Sequence, residues 1–415
     1  MNPQAARTLV DAEAMLPVLE KTPTLQGRPL RGVKLLSTWL KPGRYFNAHY
    51  RLDVDGTEGD PIQVSAFVVE GARVSQAIEA TGSHDCEGAA RSSCRRCLTS
   101  FVDPPGVLLQ VFPVDYRLPT LPACLDLGRV NALLGGRLEF TDFELVAYRP
   151  GMRAQILYRG SDGRDVYGKV VVEKYGRGEA VGVQRRVAEA LSATKRRFSV
   201  PVSLGRVEDL QLDLVTGIRG KKFYSSLYRR RNVDRKIGLL ARAIADFHGI
   251  GTGAELREYG VYDELDTIDR WVELVSLIFP EFATDLGALH AELLYARPDP
   301  RPARALLHRD FYDQQVLFLE GRPFFVDMDT TSRGDRELDL GNFCAHLRVR
   351  GLQWNQERRC RTLEERFLDA YPQSIDRSRL DWYRRVTLLR LACVYTLRPG
   401  LKEMVPALVA EGLKG

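Results

Sequence analysis

An internal repeat constrains the fold of this 415-residue chain more than any other feature of its sequence. Lys41-Pro42-Gly43 and Tyr50-Arg51 recur at one constant offset as Arg149-Pro150-Gly151 and Tyr158-Arg159. Each copy reads as a strand, a Pro-Gly turn, a second strand, an Asp-Gly hairpin turn and a third strand. The repeat therefore predicts a small antiparallel sheet that is built twice.

The two predicted third strands differ at a position that bears on function. When Phe67–Glu70 is aligned with Val170–Glu173, the second copy has Lys169 where the first has Ala66. A lysine inside an apolar strand is costly to bury without an anionic partner, and a nucleotide phosphate is such a partner. An edge position or an outward-facing side chain would also accommodate it. We favour the phosphate role for Lys169, and the first copy then reads as a degenerate lobe.

A second motif brings acidic and amide side chains together near two short apolar strands. His308-Arg309-Asp310 is followed by Gln315, a tight turn at Glu320–Pro323, and then Asp327 and Asp329. Phosphoryl transfer needs such a set, because one carboxylate accepts the proton of the attacking hydroxyl and other oxygens bind magnesium on the nucleotide phosphates. The motif predicts a small-molecule kinase.

Helical periodicity dominates the sequence from Asn232 onward. One helix is predicted to end near His248, and the others are Thr267–Phe279, Ala283–Ala296, Glu337–Val349, Glu357–Ala370 and Arg379–Thr396. Two more are predicted in the first half, Leu125–Leu134 and Gly178–Ala193. Gln211–Gly217 reads as a strand whose Leu214 and Val215 would offer backbone groups to an adenine ring. The pattern indicates an α+β chain with a β-rich part ahead of a helical part.

The block Ala305–Leu347 resembles the aminoglycoside phosphotransferase family, which also includes sugar, choline and amino-alcohol kinases. The family's loop reads His-x-Asp with Asn five residues later, then a strand aspartate and a Gly-Asp…Asp-Leu segment. The corresponding residues here are His308-Arg309-Asp310, Gln315, Asp327, Gly334-Asp335 and Asp339-Leu340. The resemblance, which is clear from about Leu138 onward, implies a bilobal protein-kinase-like fold with a nucleotide-binding lobe at 137–217 and a helical lobe at 218–415. The repeat adds a degenerate β domain at 1–136.

The resemblance also implies roles for individual residues, with ATP and Mg²⁺ as cofactors. Asp310 would be the catalytic base, and Asp327 would coordinate magnesium with help from Asp329. Lys169 would bind the nucleotide phosphates and pair with a helical glutamate, either Glu179 or Glu189. His308 and Asp335 are expected to hold the loop through hydrogen bonds.

Gln315 departs from the family pattern, since its side chain is one methylene longer than the expected asparagine. Its amide oxygen can still bind a metal. If it cannot support catalysis, the alternative is a pseudokinase-like module that binds a nucleotide or a partner. We prefer catalysis, because Lys169, Asp310 and Asp327 are all present.

The expected acceptor is the hydroxyl of a small molecule. Arginines are frequent from Arg348 to Arg366, which favours a neutral or anionic sugar-like metabolite over a polycationic aminoglycoside. The net charge of +6 is spread along the chain, so nucleic acid is not expected as a partner. No apolar run is long enough to span a bilayer and no secretory signal is visible, so we expect a cytoplasmic protein. The oligomeric state cannot be read from the sequence.

One cysteine group stands apart from the rest of the sequence. His84, Cys86, Cys94 and Cys97 have the ligand types of a tetrahedral zinc site. The segment carries only a single Cys-x-x-Cys, so free thiols in a polar loop are the alternative.

Overall fold

The structure, a computed structural model, describes residues 3–22, 25, 29–41, 45–54, 61–69, 72–79, 98–172, 185, 187–189, 197–251 and 256–414. Two five-stranded antiparallel sheets form its β-rich half. The first has the order β1-β2-β3-β5-β4, with β1 Leu30–Lys41, β2 Tyr45–Val54, β3 Ile62–Val68, β4 Thr99–Val102 and β5 Val107–Val111. The second has the order β6-β7-β8-β10-β9, with β6 Phe140–Arg149, β7 Arg153–Gly160, β8 Asp165–Val171, β9 Ser203–Val207 and β10 Leu212–Thr216.

The two sheets share one topology, as the repeat predicted. In each, three strands form a meander and a later hairpin adds the last two strands beside the third. The first strand of each sheet also carries two register shifts against the second strand. The fold class is therefore α+β with an additional N-terminal sheet that has the form of a kinase β lobe.

Strand pairing corrects the alignment of the third strands by one residue. Gln155 pairs with Lys169, and Asn47, which stands at the same place after its Pro-Gly turn, pairs with Phe67. Ala66 instead pairs with Ala48, and both side chains are buried in the core. Because side chains alternate between the faces of a strand, a one-residue slip exchanges the faces. Phe67 is therefore the counterpart of Lys169.

Helices form most of the second half of the chain. The described helices of the first half are α1 Pro3–Val10, α2 Ala12–Leu19, α3 Ala72–Glu79, α4 Leu121–Cys124 and α5 Leu127–Leu134. The others are α6 Phe223–Arg229, α7 Val233–His248, α8 Val261–Ile278, α9 Ala283–Tyr295, α10 Arg336–Trp354, α11 Glu357–Asp369, α12 Arg377–Thr396 and α13 Val405–Leu413. The helices predicted from Asn232 onward are present, but α8 begins before the predicted Thr267, α10 extends beyond the predicted Val349, and α13 was not predicted. The helix predicted at Gly178–Ala193 lies largely outside the described residues.

Six short strands hold the loops of the helical lobe. They are β11 Lys221–Lys222, β12 Glu258–Tyr259, β13 Ala305–Leu307, β14 Val316–Leu319, β15 Arg322–Phe325 and β16 Ser332–Gly334, in two sheets ordered β11-β14-β15 and β12-β16-β13. The hairpin β14–β15 turns at Glu320 and Gly321, whose φ angles of 50° and 82° are those of a tight two-residue turn. This hairpin carries the chain from Gln315 to Asp327.

Apolar clusters hold these elements together. The second sheet packs on α4 and α5 through residues that include Tyr158 and Leu134. The hairpin β14–β15 packs with α7, α10 and α11. The first sheet shares one cluster with the helical lobe, in which Leu52 and Ala66 belong together with Leu389. None of the described helices is long and apolar enough to cross a membrane.

Candidate active site

Asp339, a buried aspartate in the first turn of α10, holds the loop that carries Asp310. The Asp339 carboxylate accepts hydrogen bonds from the backbone N–H groups of His308, at 2.8 Å, and Arg309, at 2.7 Å. Its Oδ2 also contacts Nε2 of His248 at 3.1 Å. Carboxylate bonds to backbone N–H groups are strong, so Asp339 fixes the backbone just ahead of Asp310.

The two residues expected to be structural are both hydrogen-bonded within the lobe. The His308 ring contacts the carbonyl oxygen of Val326 through Nε2 at 3.0 Å, which ties the loop to the segment after β15. Asp335 is buried and accepts bonds from Arg379 Nη1, at 2.7 Å, and from the Tyr383 hydroxyl, at 2.9 Å. The His308 contact therefore holds the loop, whereas the partners of Asp335 lie on α12, so Asp335 does not bind the loop through these bonds.

Asp310 is partly buried beside Gln315. Burial raises the pKa of the Asp310 carboxyl, and the nearby charge of Asp327 raises it further. The amide Nε2 of Gln315 donates a hydrogen bond to Asp310 Oδ2 at 3.1 Å, and this bond opposes the rise in the pKa. The Gln315 side chain therefore acts on Asp310 directly in this structure.

Asp327 lies two residues beyond the end of β15, not on the strand itself. Its φ angle is 61°, in the left-handed region that a non-glycine residue rarely adopts. Such backbone conformations cluster at functional sites, where the surrounding structure holds them. The hydrogen bond between His308 and the Val326 carbonyl is one contact that holds this segment.

Two cations from the second sheet meet the acids after β15. The Lys169 amine binds Asp327 Oδ1 at 2.9 Å and also contacts Asp329. The Arg153 guanidinium binds both oxygens of Asp327, at 3.1 and 2.9 Å, and Asp329 at 3.3 Å. Burial would raise the pKa of Asp327, but Lys169 and Arg153 outweigh it and hold this pKa well below its ordinary value.

Sequence reasoning missed Arg153, although the sequence contains a signal for it. Arg153 and Gln155 alternate with buried Ala154 and Ile156 along β7, so both polar side chains lie on the face that presents Lys169. Strand alternation together with the hairpin pairing would have placed a second cation in the cleft.

A cavity of about 440 Å³ separates the second sheet from the helical lobe. The residues that matter most on its walls are Lys169, Val215, Gln315, Asp327 and Asp329. A volume of this size is in the range of small-molecule sites in proteins.

The two residues predicted to meet an adenine ring face different ways. The Leu214 side chain is packed in the core at 2% exposure, whereas Val215 and Thr216 line the cavity. Thr216 ends β10, at the edge where the chain crosses to the helical lobe.

The phosphotransferase enzyme family (APH) matches residues 147–383, which is more than half of the chain. The chain belongs to this family. The phosphotransferase is accordingly an enzyme that acts on hydroxyl groups of small molecules. No curated protein matches it.

Among solved structures the phosphotransferase is similar to a spectinomycin phosphotransferase in complex with ADP and spectinomycin, at 13% identity and a TM-score of 0.49, covering 69% of this chain and 98% of that one. It is also similar to a choline/ethanolamine kinase family protein from Mesorhizobium loti, at 15% identity and a TM-score of 0.46, covering 66% and 87%. The choline kinase LicA from Streptococcus pneumoniae has 13% identity and a TM-score of 0.46, covering 69% and 96%.

The glutamate expected to pair with Lys169 is not identified. Glu189 is 67% exposed and forms an ion pair with Arg185 at 3.8 Å, while Glu179 lies outside the described residues. Within the part of the chain that the structure describes, the phosphotransferase's Lys169 is instead paired with Asp327 and Asp329.

The arginines that favoured an anionic substrate do not lie in the cleft as a group. Several bind acids: Arg348 binds Glu364 and Glu411, Arg350 binds Asp313, Arg361 binds Glu411, and Arg366 binds Asp234. These pairs stabilise the helical lobe, so any anion preference of the phosphotransferase has to come from other cations.

The candidate zinc ligands, residues 84–97, lie outside the described residues. In the ranges that the structure does cover, no group of three or more His, Cys, Asp or Glu side chains forms a metal cluster. The described cysteines Cys124, Cys344, Cys360 and Cys393 are buried free thiols.

Proposed function

We propose that the protein transfers the γ-phosphate of ATP to a hydroxyl of a small molecule, and that a sugar or sugar-like metabolite is a better acceptor than an aminoglycoside. The observation that carries this proposal is the meeting of Lys169 and Arg153 with Asp327 and Asp329 at one cavity, whose wall residue Gln315 is hydrogen-bonded to Asp310. Cations for phosphate and carboxylates for a metal on facing walls are what phosphoryl transfer requires.

Each of these side chains has a role in the proposal. Lys169 and Arg153 bind the nucleotide phosphates. Asp310 accepts the proton of the acceptor hydroxyl, a task that suits a carboxyl whose pKa is raised by burial. Val215 and the backbone at the end of β10 contact the adenine ring.

Magnesium fits the donor set of the cavity wall. Asp327, Asp329 and Gln315 offer two carboxylates and an amide oxygen, and magnesium takes carboxylates together with substrate phosphates. Bound there, the ion would neutralise the negative charge of the nucleotide phosphates. Lys169 and Arg153 would then be free to move from the carboxylates to the phosphates.

Replacing the proposed base tests the function. Asp310→Asn keeps the shape of the side chain but cannot accept the proton, so we expect ATP-dependent phosphorylation to fall by a factor of about 10²–10⁴. The readouts are ATP consumption over a panel of sugars, amino alcohols and aminoglycosides, and thermal stabilisation by Mg·ADP, which should stay unchanged. Asp209→Asn, at an exposed aspartate outside the cleft, is the matched control.

Two other results would change the proposal. Turnover by Asp310→Asn at the wild-type rate would show that Asp310 is not the base. Stabilisation by Mg·ADP without phosphorylation of any acceptor would favour a pseudokinase-like binding module. The pseudokinase-like module stays the second candidate function because the Gln315 amide, which stands where the family has asparagine, contacts Asp310.

A further inference from the structure

The turn between β6 and β7, residues Arg149–Met152, borders the cavity of the candidate active site. Arg149 and Met152 line this cavity together with Arg153, the first residue of β7. Arg153 pairs with Arg149 across the turn, and its guanidinium binds both oxygens of Asp327. The position of the turn therefore bears directly on where the Arg153 guanidinium lies.

Two buried side chains from outside the second sheet bind the backbone of this turn. Asn47, on β2 of the first sheet, donates a hydrogen bond from Nδ2 to the Pro150 carbonyl oxygen at 2.7 Å. Asp115, in the segment between β5 and α4, accepts a bond from Gly151 N through Oδ2 at 2.6 Å. Asn47 and Asp115 are each only 2% exposed, so water cannot readily replace either bond. Neighbouring residues of the turn are thus fixed by the N-terminal part of the chain.

Other donors hold the Asp115 carboxylate in its place. Its Oδ1 accepts hydrogen bonds from Arg117 N, at 2.9 Å, and Leu118 N, at 3.2 Å. Its Oδ2 also accepts a bond from the Tyr148 hydroxyl on β6 at 3.0 Å. The Tyr148 hydroxyl in turn lies 3.1 Å from that of Ser65, a buried residue on β3 of the first sheet. Because bonds to a carboxylate are strong, Asp115 is a fixed point between the two sheets.

The side chain that begins the turn also rests on the first sheet. The Arg149 guanidinium lies over the ring of Trp39 on β1, with 4.2 Å between its carbon and the ring centroid. The turn between β7 and β8 is held in another way, because the Gly163 carbonyl oxygen accepts a bond from Arg219 Nη2, just beyond β10, at 2.6 Å. These two turns of the second sheet are therefore held by different parts of the chain.

We propose that Asn47 and Asp115 are positioning residues for nucleotide binding, because they fix the turn from which Arg153 extends toward the phosphates. The proposal rests on the proposed function, which assigns Arg153 to the nucleotide phosphates. A binding group that is held in place before the ligand arrives gives a higher affinity, because less conformational freedom is lost on binding. The N-terminal repeat then forms part of the nucleotide site, although neither Asn47 nor Asp115 lines the cavity.

Binding of Mg·ADP to the full chain, measured by isothermal titration calorimetry, tests this role. Asn47→Ala removes the donor to the Pro150 carbonyl, and Asp115→Asn places an amide N–H group against the donors that the carboxylate accepts. We expect each variant to bind Mg·ADP about tenfold more weakly than the wild type. Leu52→Ala is the matched control, because Leu52 is fully buried in the core beneath the same sheet. It should lower stability and leave the Mg·ADP affinity unchanged.

A double-mutant cycle with Arg153→Gln shows whether the positioning residues act through Arg153. Arg153→Gln should itself weaken Mg·ADP binding at least tenfold. Asn47→Ala added to Arg153→Gln should then change the affinity less than twofold, because the group that it positions is already absent. Circular dichroism at the assay temperature shows that each variant is folded. Asn47→Ala removes a single bond, so it tests the proposal even if Asp115→Asn does not fold.

Three results would overturn the positioning role and leave the proposed function in place. These are wild-type Mg·ADP affinity in Asn47→Ala, the same tenfold loss when Asn47→Ala is added to Arg153→Gln, and an equal loss in Leu52→Ala. Wild-type affinity in Arg153→Gln would overturn the phosphate role of Arg153 and the positioning role with it. Wild-type protein that does not bind Mg·ADP would overturn the proposed function as well.

Discussion

The contact between Gln315 and Asp310 is the residue-scale feature that most affects the proposed chemistry. The longer side chain, which departs from the family's asparagine, brings its amide nitrogen to Asp310 Oδ2 at 3.1 Å. This hydrogen bond stabilises the charged form of a carboxyl that burial and Asp327 otherwise push toward its neutral form. Gln315 therefore tunes the proposed base, whether or not it also binds a metal.

A pH profile tests this tuning. Only ionised Asp310 can accept a proton, so activity should be lost as the pH falls through its pKa, and burial places that pKa above the ordinary value for aspartate. Gln315→Leu removes the hydrogen bond that lowers the pKa, so the acid limb of kcat/KM should move to higher pH. The measurement is made at saturating magnesium, with Gln315→Asn as the variant closest to the family pattern.

The result for Gln315→Leu distinguishes an effect of Gln315 on the pKa of Asp310 from a role in binding the metal. If the acid limb stays in place while the requirement for magnesium increases, Gln315 acts on the metal rather than on Asp310. If neither changes, the hydrogen bond has no part in the reaction.

The β6–β7 turn is an element of the second sheet that contacts the first sheet directly. Gly151 has a φ angle of +65°, and a Cβ atom there would lie 2.9 Å from Asn47 Nδ2 and 3.1 Å from a ring carbon of Phe67. The residue therefore needs both a left-handed backbone conformation and close contact with the first sheet. The same turn holds Arg149, so its position bears on the cleft.

Alanine substitutions at two glycines distinguish the cost of backbone strain from the cost of contact with the first sheet. Gly163, in the β7–β8 turn, has a φ angle of +77°, and a Cβ atom added there would meet no other atom within 4 Å. Gly163→Ala should lower the free energy of unfolding by about 1–2 kcal/mol through backbone strain alone. Gly151→Ala should cost about 1–3 kcal/mol more because the methyl group meets the first sheet. Urea unfolding gives both values, and equal losses would mean that the first sheet does not restrain the turn.

At the scale of the whole molecule, the first sheet and the helical lobe share one apolar cluster. Leu52 on β2 and Leu389 on α12 are both fully buried in it. Hydrogen bonds also join the N-terminal part to the helical lobe, among them the bond from Arg7 Nε on α1 to the Ile278 carbonyl at 2.8 Å and the bond from the Thr38 hydroxyl on β1 to the Leu397 carbonyl. The division of the chain at residues 136 and 217 stays a prediction, and the shared cluster crosses it.

A shared core predicts that the first sheet and the helical lobe unfold together. Leu52→Ala and Leu389→Ala should each lower the free energy of unfolding by about 2–5 kcal/mol. Both should shift the midpoint of a single urea transition, because neither part keeps its core without the other. Helical circular dichroism and tryptophan fluorescence are the two probes. If Leu52→Ala leaves the urea midpoint of the helical signal unchanged, the first sheet unfolds independently of the helical lobe.

Much of the fold could be predicted because the signals are local. Apolar spacing indicated the helices from α7 to α12, and the turn at Glu320–Gly321 indicated the hairpin that leads to Asp327. The register of β3 could not be predicted in the same way. A one-residue slip changes which face holds Ala66 or Phe67, and only pairing with β2 decides between them.

The sequence by itself determined the order of the elements and pointed to Lys169, Asp310 and Asp327 as candidate site residues, because periodicity, turn residues and motif spacing are properties of neighbouring residues. Only the tertiary structure decided the partners of the cations: Arg153 binds Asp327, Arg149 lies on Trp39, and Arg350 binds Asp313. These partners are far apart in the chain. An arginine's partner depends on which distant surface is packed against it, and that is set by the cores that bring the two sheets and the helices together.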